Sequence, residues 1–102
     1  MAVDEHVYGE VASEADLRRN YAAIRRDIAG AATREELTKL YRRAEYLITL
    51  TYSPAWQTKF GAQVEQLRQV AQSEFTATAH AVNQRAAEIG TDPNYDETCG
   101  GG

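Results

Sequence analysis

The chain has 102 residues, 43% apolar and 25% charged, with a net charge of −4. That describes one ordinary globular domain with a small core. A single cysteine excludes an internal disulfide, and the longest apolar-leaning run, AEYLITLTY, is too short to cross a bilayer.

Residues 1–12 show no sustained periodicity and read as an irregular arm. The opening MAVDEHVYGE has no basic segment followed by an apolar one, so no signal peptide is expected and a cytoplasmic compartment is. The charge is segregated along the chain. Residues 1–17 hold five acids and no Lys or Arg, residues 18–59 hold nine basic residues against four acids, and residues 60–102 hold two against six. An acidic start, a basic middle and an acidic end follow in order.

The first helix is expected over about 13–29. Ser13 followed by Asp16 has the spacing of a capping box, with Asp where Glu or Gln is usual. Leu17, Tyr21, Ile24 and Ile28 then form one helical stripe, and Gly30 is placed to close it in a left-handed conformation. Thr33 and Glu36 form a fuller capping box for a second helix over about 34–52. Its stripe is Leu37, Leu40, Tyr41, Ala44, Leu47, Ile48 and Thr51. The β-branched run LITLTY alone would suit a strand, but the helical period continues through it. The short connection makes these two an antiparallel hairpin.

Ser53 and Pro54 restart the chain as cap and first-turn proline. From Phe60 through Val64, Leu67, Ala71, Phe75, Thr78, Val82, Ala86 and Ile89 the steps average close to 3.6, which predicts one long helix over about 54–89. Gly61 is a weak point inside it, and Gly90 with Pro93 ends it. The fold expected is therefore all-α: a three-helix bundle with a helical domain over 13–90 and a Gly-rich tail over 91–102.

Length raises a question. At ~1.5 Å per residue the third helix would run ~50 Å, against ~25–30 Å for each hairpin helix. Phe75, Val82 and Ile89 would then extend beyond the hairpin. A bend near Gly61, the arm or tail folding back, or another polypeptide must cover them. An exposed stripe usually marks an interface, so these three are expected to meet a protein partner or a second copy, with Trp56 and Tyr52 as aromatic anchors.

Signatures of chemistry are sparse. No P-loop, GxGxxG, GxSxG or HExxH is present, and His6 and His80 have no metal-ligand partner at helical spacing. No catalytic residue, cofactor or metal is therefore expected. Arg18, Arg19, Arg25, Arg26, Arg42 and Arg43 recur as pairs, and Arg18 and Arg25 share a helix face. Such residues can be solvated or paired within the chain, meet a protein partner, or bind an anion such as nucleic acid. Cys99 lies among acids and terminal glycines, which reads first as a flexible or partner-bound tail and only then as a thiol or carboxylate handle. The functional expectation is a small non-enzymatic interaction subunit or adaptor, as in a viral or other large assembly. The alternatives are a nucleic-acid-binding regulator using the Arg face, and an enzyme accessory or carrier protein using Cys99 and the tail. No membrane role is expected.

Overall fold

Side-chain caps set where three helices begin. The computed structural model describes residues 11–97. His6, Cys99 and the terminal glycines lie outside this range, as do most of the expected acidic arm and the end of the tail. Helix α1 spans Glu14–Ala29; Ser13 is extended, and its hydroxyl accepts from the Asp16 amide. The Asp16 carboxylate reaches back to the Ala12 amide at 3.0 Å, one residue before the cap. Helix α2 spans Arg34–Thr51, with Thr33 accepting from the Glu36 amide. Helix α3, Pro54–Phe60, begins at Ser53, whose hydroxyl accepts from the Trp56 amide and donates to the Leu50 carbonyl. One side chain thus serves the end of α2 and the start of α3.

Gly30 departs from expectation. Its φ is −98°, and the α1–α2 link turns through Gly30 and Ala31 amides donating to Asp27 and Ile28 carbonyls. The tight turn closes without the left-handed region. Gly90 does use that region, at φ 82°. The Thr91 amide reaches the Ala86 carbonyl and the Gly90 amide reaches Ala87, the paired bonds of a Schellman end.

The third helix is not straight. Gly61 adopts φ 54° and ψ −125°, a conformation open to glycine. A 3-10 turn over Gly61–Gln63 follows, and helix α4 then runs Val64–Glu88. Helix α4 packs on both hairpin helices. Arg68 meets Thr51 at one end of the bundle, and Arg85 meets Ala31 at the other. Helix α4 is therefore antiparallel to α2 and parallel to α1.

This geometry corrects the interface expected from a straight helix. Phe75 and Val82 are 1% and 0% exposed, in one core with Leu17, Tyr21, Ile24, Leu37, Leu47 and Ala79. Ile89 is half-buried against the same core. The 25 residues of α4 rise ~37 Å, still more than the hairpin helices. The chain covers the excess itself. At one end α3 folds over Val64 and Leu67. Beyond the other end residues 91–97 turn back along α2 and α4, with Tyr95 packed on the core. The expected flexible or partner-bound tail is, as far as Glu97, a docked segment.

Candidate functional site

The bend at Gly61 creates the candidate site, an elbow where α3 meets the start of α4. Pro54 in the first turn and the Ser53 cap make a helix of only seven residues start cleanly. Its length suffices to carry Trp56 and Phe60 on one side, four residues apart. The rings meet at 4.9 Å between centroids with a 56° tilt. Trp56 is buried against Val64 and Leu67, with Val11, Leu50 and Phe60 around them. Trp56, expected as an interface anchor, is thus at 7% exposure a residue of this small second core.

Phe60 stays half-buried because Gly61 turns the backbone away immediately after it. Beside it opens a groove of about 260 Å³ lined by Ser13, Glu14, Phe60, Gln63, Gln66 and Leu67. Its floor is apolar and its rim carries amides and one carboxylate. Gln66 donates to Glu14 across this rim at 3.4 Å.

Tyr52 stands at the same end of the bundle and is 52% exposed. Its ring is nevertheless in contact with a fixed neighbour. The Arg68 guanidinium lies 4.3 Å from its ring centroid. Arg68 is itself fixed, donating through Nε to the Thr51 carbonyl at 3.0 Å and pairing with Glu65. Sequence reasoning found Tyr52 as an anchor, placed Phe60 only on the stripe of the third helix, and missed Arg68. No periodic signal links positions 52 and 68, one just past the end of α2 and the other on α4.

The six arginines do not assemble into one free anion-binding face. Arg18 and Arg25 turn toward α4 and share Glu74, at 3.6 and 3.0 Å. Arg25 also donates to Thr78. Arg19 pairs with Asp16, and Arg26 lies 3.6 Å from Asp27. Arg43 is buried, donating to Asn20 at 2.9 Å with its guanidinium near the Tyr46 ring. It sits between Leu40 and Leu47 on the inner side of α2, so α1 covers it. Arg42 remains exposed.

His80 is exposed and lies 3.3 Å from Glu97. A hydrogen bond from Asn83 to the Glu97 carboxylate, with His80 beside it, holds that carboxyl below the usual glutamate range. The Ala12 amide, with Arg19 and Ser13, does the same for Asp16. Among the described residues no cluster of three or more His, Cys, Asp or Glu side chains could hold a metal ion, and no helix is long and apolar enough to cross a membrane. Comparison with protein-family models, curated proteins and solved structures finds no match to this chain.

Proposed function

We propose that this chain is a small, non-enzymatic helical interaction subunit of a cytoplasmic assembly, and that the elbow end of the bundle is the surface it presents to a protein partner. The observation that carries the reading is Tyr52. A tyrosine this exposed normally moves freely, whereas this one is stacked on a guanidinium that two further groups hold in place. Pre-ordering an aromatic ring removes part of the entropy lost on binding, and tyrosine is a frequent anchor at protein interfaces. The groove beside Phe60 adds room for one apolar or aromatic side chain of the partner. Its polar rim suits an interface that must also stay soluble when open.

A pull-down from the native host tests the proposal, comparing the parent with Tyr52→Ala and Phe60→Ser, each first shown to be helical by circular dichroism. A protein recovered with the parent and lost with both variants supports it. Recovery unaffected by either variant places the interface elsewhere. Sedimentation of the parent alone reports whether the partner is a second copy.

A further inference from the structure

The segment Thr91–Glu97 is bound to the bundle much as an extended peptide is bound to a receptor. The Tyr95 amide donates to Asn83 Oδ1 at 2.8 Å, and Asn83 Nδ2 donates to the Tyr95 carbonyl at 2.7 Å. One side-chain amide thereby reads both backbone groups of one residue, as a neighbouring strand would. The Tyr95 ring lies in a slot built by α2. Tyr41 is 5.0 Å away, the Arg34 guanidinium lies 5.3 Å from the ring centroid, and the Tyr95 and Thr38 hydroxyls are 2.8 Å apart.

The contacts continue on either side. Arg34 donates to the Asp92 carbonyl at 2.6 Å, and the Tyr41 hydroxyl donates to the Asp96 carbonyl at 3.0 Å. The Glu97 carboxylate accepts from Asn83 at 3.0 Å and lies beside His80. These partners recognise backbone, one aromatic ring and an acid two positions later.

Arg34, Thr38 and Tyr41 belong to α2, and His80 and Asn83 belong to α4. Both helices are held by a core that Tyr95 only borders. The slot therefore persists when the segment leaves it. The segment is tied to α4 through Gly90, whose positive φ makes the reversal, and a Cβ there would meet nothing within 4 Å. Exchange of an identical terminal element between copies needs no new contact chemistry.

We infer that the α2–α4 groove is a recognition site for an extended tyrosine-and-acid peptide, and that its partner in trans is the 91–97 segment of a second copy of this chain. In the monomer the tethered segment occupies its own groove and competes with that of any other copy. A short tether gives an effective concentration in the millimolar range, so the parent exchanges appreciably only when its own concentration approaches that range. This inference does not rest on the elbow, and either can fail without the other.

Complementation between full-length chains tests it. Tyr95→Ala leaves an intact groove with a poor segment, and Asn83→Ala leaves an intact segment with a poor groove. Each variant alone should sediment as a monomer, and their equimolar mixture should contain heterodimer. A labelled peptide of residues 91–97 should bind Tyr95→Ala at least tenfold more tightly than the parent, and should not bind the double variant Tyr95→Ala with Asn83→Ala. Peptide binding without heterodimer overturns the exchange. Absence of peptide binding to a helical Tyr95→Ala chain overturns the groove as a recognition site. Should Tyr95→Ala lose its helical signal, millimolar peptide added to the isotope-labelled parent decides instead: displacement must shift the Asn83 side-chain amide resonances, and unchanged resonances overturn the inference.

Discussion

The Tyr21 hydroxyl donates to the Ala44 backbone carbonyl across 2.8 Å inside the α1–α2 contact. Both residues are fully buried, and a buried hydroxyl without a partner costs more than its bond contributes. Tyr21→Phe removes donor and hydroxyl together. It should lower stability by only ~0.5–1.5 kcal/mol, measured by urea denaturation. Tyr21→Ala empties the site and should cost ~3–5 kcal/mol. Equal losses for the two variants would show that the ring contributes nothing beyond the hydroxyl.

Gly61→Ala distinguishes a bent third helix from a continuous one by the sign of its effect. Alanine for glycine inside a regular helix would stabilise by ~1 kcal/mol. At φ 54° the same change introduces backbone strain, so a loss of ~1–2 kcal/mol is expected. The urea midpoint gives the sign directly.

The caps differ in what they support. Thr33→Ala removes the acceptor for the Glu36 amide and should cost ~1 kcal/mol. Ser53→Ala removes a hydroxyl that also donates to Leu50, so its loss should be the larger of the two. Thermal melting of both variants ranks them.

Phe75→Asp with Val82→Asp should unfold the chain rather than merely abolish an association. Truncating a buried phenylalanine alone costs ~3–5 kcal/mol, and two uncompensated buried carboxylates add to that. A domain of this size has ~5–15 kcal/mol in all. Circular dichroism of the double variant should show loss of helix. A helical, well-folded double variant would restore these residues to an exterior surface.

Acid should weaken the docked segment. The Glu97 carboxyl titrates lower in the folded chain than in the unfolded one, so its contribution is fully present above the ordinary value of 4.5. That contribution fades as pH falls through the lowered folded value. Asp16 follows the same sign at the start of α1. In a titration followed by NMR, the Tyr95 amide should shift in this acid range before core amides such as that of Leu47. High salt should reduce the effect, because Glu97 and His80 are exposed.

Much of the bundle was legible because its signals are local. Ser13, Thr33 and Ser53 announce helix starts by residue type and spacing, and each caps as expected. Leu17, Tyr21, Ile24 and Ile28 keep one phase and are all buried. The direction of the chain after Phe60 was not legible. The step from Phe60 to Val64 is the same in a continuous helix and through this bend, so periodicity cannot separate them. Pairing within the chain was among the readings open for Arg43, but its burial was not legible, because its residue type argues for solvent while its position on α2 faces α1. Of the elbow, Tyr52 and Trp56 were visible as aromatics, but the contact on Tyr52 joins the turn after α2 to α4. The docking of residues 91–97 on α2 joins positions more than fifty apart, such as Thr38 and Tyr95.

The parallel arrangement of α1 and α4 has a consequence for the order of assembly. Tyr21 and Ala44 are separated by 23 residues, whereas Arg25 and Thr78 are separated by 53. Each doubling of a flexible loop adds only ~0.6 kcal/mol to its closure, so the long pairing costs the finished protein little. It matters more to the rate, because distant contacts form after near ones. The α1–α2 hairpin should therefore organise first, with α4 arriving as one rigid rod. Substitutions at the α1–α2 contact, such as Tyr21→Phe, should then slow folding. Substitutions at the Arg25–Glu74 pair should chiefly speed unfolding.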